Sequence, residues 1–180
     1  EALKMLLRMC PVWASLLFFF AVPAQMSATL IEQGMAMDNR VGTCVVPPAS
    51  ISTFDIVSVL VWVPIYDAVL VPLARRVTDQ DRGFTQLQRI GVGLALSAAA
   101  MAYAASVETR RLASASSMSI MWLAPCYFVL GAAEVFTSIG MLEFFYDQSP
   151  ESMKSLGVAL AQLAVAGGNY LNSGLLGAVA

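Results

Sequence analysis

The sequence predicts an all-α membrane protein, and three observations carry that prediction. Of its 180 residues 58% are hydrophobic and only 12% charged, whereas a soluble domain carries about 25% charged residues and a chain this short lacks the interior to hide so much apolar surface. The apolar residues gather in runs of about 20, the length that crosses a bilayer as a helix. The charges gather in the gaps between those runs.

Taken in order, the first predicted span is 11–31, free of charge throughout and preceded by Lys4 and Arg8 on a short amphipathic approach. Pro23 within it should kink the helix and release a backbone carbonyl. A loop with Asp38, Arg40 and the Pro47-Pro48 breaker follows. The second span is 52–73, where Ser52 three residues before Asp55 reads as a capping box. A polar loop, 74–84, contains Arg75, Arg76, Asp79, Asp81 and Arg82. Thr85 and Gln88 form another capping-box pattern that opens the third span, 85–106. Glu108, Arg110 and Arg111 lead to the fourth, 117–145. Ser149-Pro150-Glu151 then reads as N-cap, proline at the first helical position and an acid in the first turn, launching the fifth span, 153–180.

Basic residues orient the chain. Lys4, Arg8, Arg75, Arg76, Arg82, Arg89 and Lys154 fall on one side, against Arg40, Arg110 and Arg111 on the other. The first side is therefore expected to be cytoplasmic. The chain opens on Glu1 without a Met, and Ala180 falls inside an apolar pattern. Both ends are expected to be cuts in a longer protein.

Several function classes are excluded. There is no histidine, which removes the commonest general base and metal ligand. Cys10, Cys44 and Cys126 show no ligand or disulfide spacing, so no metal and no cofactor is expected. No basic cluster suggests nucleic acid. Tyr66-Asp67 in a membrane span invites an intramembrane aspartyl protease, but that chemistry needs a second aspartate sharing a proton with the first. The only Gly-x-Gly, Gly91-Val92-Gly93, is followed by Leu94. Asp67 is instead expected to pair with Arg75, Arg76 or a neighbouring loop, and no enzyme is predicted.

The leading candidate for function is Glu134, a carboxylate inside an apolar run that begins at Ser119. Such a group at the centre of a helix costs about 2.5–3.5 kcal/mol on insertion scales and marks a protein interior or a wet cavity. On a helix turning about 100° per residue, Tyr127, Gly131, Glu134, Thr137, Ser138 and Met141 share a face. Glu143 points the opposite way and reads as a snorkelling or loop-paired carboxylate. Gln25 lies near mid-membrane, its amide able to donate and accept. Asn169, Asn172 and Ser173 share one face of the fifth span beside Gly167-Gly168, a pattern that serves helix packing.

Six stretches together resemble a known family. They are Pro64-Ile65-Tyr66-Asp67, Leu70-Val71-Pro72-Leu73-Ala74-Arg75-Arg76, Gln86-Leu87-Gln88-Arg89-Ile90-Gly91, Gly131-Ala132-Ala133-Glu134-Val135-Phe136, Leu142-Glu143-Phe144-Phe145-Tyr146-Asp147-Gln148-Ser149-Pro150 and Gly168-Asn169-Tyr170-Leu171. They resemble the C-terminal half of the plant nitrate and peptide transporter family, the plant branch of the proton-coupled oligopeptide transporters in the major facilitator superfamily. The resemblance implies a partial bundle whose five spans correspond to helices seven to eleven of twelve. It implies a missing N-terminal six-helix half, with the proton-coupling acids of its first helix, and a location in the plasma or vacuolar membrane. It implies a symporter that takes a small-molecule substrate (peptides, nitrate, hormones or specialised metabolites) together with protons by alternating access, the site lying between the halves. Glu134 matches the helix-ten glutamate and Gln25 the helix-seven glutamine of the central cavity, with Phe20 one turn above it; Thr137 and Ser138 extend that wall. Asp67, Arg75, Arg76 and Asn169 fall at gating or structural positions.

Two departures stand out. Pro23 occupies the position of a histidine used by nitrate-carrying members, and the usual Tyr-Asp-Arg reads Tyr66-Asp67-Ala68. The alternative to a carrier is a truncated, non-transporting membrane scaffold.

Overall fold

The structure, a computed structural model, describes residues 2–26, 28–41, 43–78, 84–114, 118–150 and 153–179. Long helices dominate. They are α1 (Ala2–Met26), the short α2 (Thr29–Met35), α3 (Thr53–Ile65), α4 (Val71–Thr78), α5 (Gln86–Ala113), α6 (Ala124–Gln148) and α7 (Lys154–Val179). A π-turn, Tyr66–Leu70, joins α3 to α4, and 3-10 turns at Pro48–Ser52 and Ile120–Leu123 lead into α3 and α6. Among the described residues four stretches can cross a membrane by length and composition: Met9–Met35, Pro48–Arg76, Gln86–Ala113 and Ile120–Gln148. The fifth helix, α7, is equally long but diluted by Gln162, Asn169, Asn172 and Ser173.

The helix α6 is the hub. Its apolar residues run all round rather than along one stripe, the pattern of a helix enclosed by neighbours. It packs along α5 and α3 and also meets α7 and α1, so 61% of its apolar window is buried, against 11% for Pro48–Arg76. Small residues permit this closeness, as in many membrane bundles. A methyl on Gly131 would lie 2.6 Å from Ser58 Oγ, and that hydroxyl donates to the Phe128 carbonyl at 2.5 Å. On the other flank a methyl on Gly168 of α7 would come 2.5 Å from Phe20 Cβ, which locks α7 onto α1. Trp13 Nε1 adds a bond to the Leu160 carbonyl at 3.0 Å across the same interface.

The two ends of the bundle are held differently. At the end opposite the Arg75-Arg76 pair, backbone pairs with backbone. The Asp38 N–H donates to the Met118 carbonyl at 2.8 Å and the Ile120 N–H to the Asp38 carbonyl at 3.0 Å, a parallel bridge between Asp38 and Ser119. The hairpin β1 (Arg40–Val41) and β2 (Cys44–Val45) projects beside it. The Arg75-Arg76 end, called the basic end below, is tied by side chains.

Several local expectations are corrected. Thr85 and Gln88 do form a capping box on α5. Ser52 does not cap α3. It sits in helical conformation at the end of a 3-10 turn and its hydroxyl donates back to the Ala49 carbonyl at 2.7 Å, because the preceding turn already feeds the helix start. Ser149 likewise serves the helix before it, donating to the Phe145 carbonyl at 2.7 Å; Glu151 lies outside the described residues. The predicted 74–84 loop is helical as far as Thr78, and its residues 79–83 lie outside the described residues. Pro23 lies inside α1, which continues past it to Met26.

Candidate functional site

Glu134 projects from the middle of α6 toward α3. It is half-buried and lines a cavity of about 180 Å³ with Ser138, Val59, Val63, Val135 and Ile139. Among the described residues it has no ion pair, and no basic side chain lines that cavity. An ionisable group in such a place carries a solvation cost that a packing residue would not. One turn nearer the opposite end, Asp55 of α3 has a buried carboxylate oxygen, Oδ1, with no hydrogen-bond partner among the described residues. Its backbone carbonyl packs against Gly131, one turn before Glu134 on α6. Sequence reading took Asp55 for a helix cap because it sits in the first turn. The signal it missed was an acid flanked by Phe54, Ile56 and Val57, all exposed on the same helix.

The expected stripe on α6 does not form a single wall. Ser138 joins Glu134 in the cavity. Thr137 is fully buried, its Oγ1 pressed against Gly93 of α5 with no hydrogen-bond partner among the described residues. Tyr127 is a core residue with no exposure. A helix enclosed on several sides sends neighbouring residues into different interfaces, so sharing an arc of the helical wheel is not sharing a cavity.

The remaining predicted residues are scattered. Gln25 lines a separate crevice of about 370 Å³ between α1, α2 and α5, with Thr29, Gln33, Met101 and Glu108 among its walls. Phe20 is buried in the α1–α7 interface, edge-on to Phe19 at 5.1 Å between ring centroids. Asn169 is exposed and its amide donates to the Val165 carbonyl of its own helix at 3.0 Å. Asn172, by contrast, is buried, so the Asn169–Asn172–Ser173 face is split between exterior and interior.

A second polar cluster stands at the basic end. Arg89, in the first turn of α5, is buried and bridges Glu143 of α6. Its guanidinium lies 5.8 Å from the centroid of the Tyr66 ring, within reach of a cation–π attraction. Tyr66 in turn is edge-on to Phe136 at 5.2 Å. Glu143 is therefore paired helix to helix, not snorkelling or loop-paired. These groups line a cleft of about 550 Å³ together with Val63, Asp67, Val71, Arg75 and Ile139. Asp67, Arg75 and Arg76 are all exposed. Among the described residues neither arginine bridges Asp67; the neighbouring loop, 79–83, lies outside the described residues. The Arg89–Glu143 contact was legible only as one basic residue just inside an apolar helix and one acid on another.

A bundle of membrane-crossing helices with carboxylates placed at depth beside cavities is an arrangement met in membrane transporters. The chain belongs to the POT family (PTR2), which it matches over residues 1–180. It is 52% identical to Protein NRT1/PTR FAMILY 8.3 of Arabidopsis thaliana over 98% of its own length and 32% of that protein's. It is 47% identical to Protein NRT1/PTR FAMILY 8.1 of the same plant, over 98% and 33%. The chain thus spans about a third of the length of the curated relatives it matches. Among solved structures it resembles an auto-inhibited POT family peptide transporter, with a TM-score of 0.84, 27% identity and coverage of 96% of this chain and 32% of that one. The POT family transporter PepTSo shares the fold at a TM-score of 0.83 and 24% identity, over 98% and 34%. The chain is part of a major facilitator superfamily bundle.

Proposed function

We propose that this chain supplies one wall of a proton-coupled secondary transporter for small solutes, working by alternating access, with the basic end in the cytoplasm of a plasma or vacuolar membrane. The observation that carries this reading is Glu134, half-buried at mid-helix, facing a cavity with Ser138 and without an ion pair among the described residues. A carboxylate so placed has two productive states: ionised against a cationic group of the substrate, or protonated when the cavity is empty. Alternation between them couples proton and solute movement. No basic side chain lines this cavity among the described residues, which favours a substrate that presents an ammonium group. Peptides meet that requirement, in keeping with the peptide transporter among the structural neighbours; nitrate, hormones and specialised metabolites are the other candidate solutes. In the full arrangement Gln25 bears on the same central cavity from α1, Phe20 and Thr137 hold the helices that frame it, and Asp67, Arg75, Arg76 and Asn169 act in gating or packing.

The test is uptake by a protein of the relatives' length. Glu134→Gln should abolish proton-driven uptake, or leave it insensitive to pH, at normal surface expression. Unchanged uptake across the pH range would rule out this role for Glu134. The conservative Glu134→Asp should retain partial, pH-dependent uptake.

A further inference from the structure

The cleft at the basic end has one fixed wall and one loosely held wall. The fixed wall is built by Arg89, Ile139 and Glu143 on α5 and α6, the most extensively packed pair of helices. The other wall is Val71 and Arg75 on α4. Within α4 only Ala74 is buried among the residues whose side chains are described, whereas Pro72, Leu73, Arg75 and Arg76 are exposed. Between α3 and α4 stands the π-turn Tyr66–Leu70, with Pro64 before it and Pro72 after it. Proline supplies no N–H, so the carbonyl one turn before Pro72 lacks its helical donor. Such π-turns and prolines are where helices bend.

Anchoring changes abruptly across this turn. Tyr66, its first residue, is buried against Phe136 and Arg89, while Asp67, Ala68 and Val69 immediately after it are exposed. The charges of the cleft are also half used. Asp67 and Glu143 face Arg75 and Arg89, so the set is neutral, yet among its described residues only Arg89 and Glu143 are bridged.

We propose that the π-turn Tyr66–Leu70 is a hinge and α4 a flap. Rotation about the turn closes the 550 Å³ cleft and delivers the Arg75 guanidinium to its acids, with Val71 already seated on the Tyr66–Phe136 cluster at the root of the flap. The structure described here is the open position. Tyr66 stays fixed through the motion, since its ring is clamped between Phe136 and the Arg89 guanidinium. This hinge does not depend on the transport reading, and its test does not measure transport.

Spin labels at Leu73→Cys on α4 and Leu142→Cys on α6, both exposed sites, report the distance across the cleft. They are placed in the chain reconstituted in lipid, with exposed Cys10 and Cys44 replaced by Ser. Pulsed electron–electron resonance should show two distance populations. Arg75→Gln should reduce the shorter one about fivefold, the weight of one ion pair, and Arg75→Lys should restore most of it. Deleting Ala68, which converts the π-turn to an α-turn without rotating α4, should leave one population. Should the deletion variant fail to insert, Pro72→Leu, which returns an N–H to the turn, is read in its place and should narrow the distribution. A single population in the parent protein overturns the hinge. So does a ratio unchanged by Arg75→Gln, or two populations that survive the change to the turn.

Discussion

Two carboxylates on one helix, Glu134 and Glu143, meet the cost of a buried charge in opposite ways. Glu143 is bridged by Arg89 and backed by the Tyr66 ring. Glu134, nine residues earlier, faces a cavity with no ion pair among the described residues. A charge with a fixed partner has part of its desolvation cost offset and supports the architecture. A charge without one carries a cost that architecture alone does not require. The difference separates a bridged carboxylate from one without an ion pair among the described residues of the same α6.

The sharpest way to break that comparison is to remove the partner. Arg89→Met removes the bridge to Glu143, and breaking a buried pair costs about 3–5 kcal/mol. Glu143 is 22% exposed, so the lower end, about 3 kcal/mol, is expected, read as a lower thermal unfolding midpoint in detergent. The double variant Arg89→Met, Glu143→Leu should regain most of that loss, because two matched apolar groups replace the pair. No recovery would mean that the bridge is not what Arg89 contributes.

Gly131→Val comes next. Its methyls would meet Ser58 at the α3–α6 crossing, and overpacking of this kind costs about 1–3 kcal/mol. It should also push α3 away from Glu134 and widen that cavity, so that a thiol probe at Val59→Cys reacts faster. Thr85→Ala removes the cap that starts α5 four residues before Arg89, at about 1 kcal/mol, again as a lower unfolding midpoint. The smallest effect is expected at Glu134 itself. Glu134→Gln removes an uncompensated charge and should change stability by less than about 1 kcal/mol, or raise it. A large loss on Glu134→Gln would erase the distinction between the two acids.

How much of this was legible in the sequence follows from the range of each interaction. The helices and the Thr85–Gln88 cap are local and periodic, so they can be read from one segment at a time. Glu134 was legible because an acid inside an apolar run is costly wherever the neighbours lie. The Arg89–Glu143 bridge was not, since it depends on how two helices register against each other, and no periodicity within either helix encodes that. The split between Thr137 and Ser138 was hidden for a related reason: a wheel projection gives direction but not which neighbour stands there. Asp55 was mistaken for a cap because Ser52 and Asp55 have cap spacing, while the 3-10 turn before them had already satisfied the helix start.

The parallel bridge between Asp38 and Ser119 has a mechanical consequence. Its two backbone bonds tie the loop after α2 to the lead-in of α6, whereas the basic end is tied through long side chains. The ion pair among those side-chain ties, Arg89–Glu143, is largely buried and so is screened little by salt. The bundle therefore behaves like a pair of tongs riveted at one end. Pulled apart, it should yield first at the jaws, and salt should change neither end much.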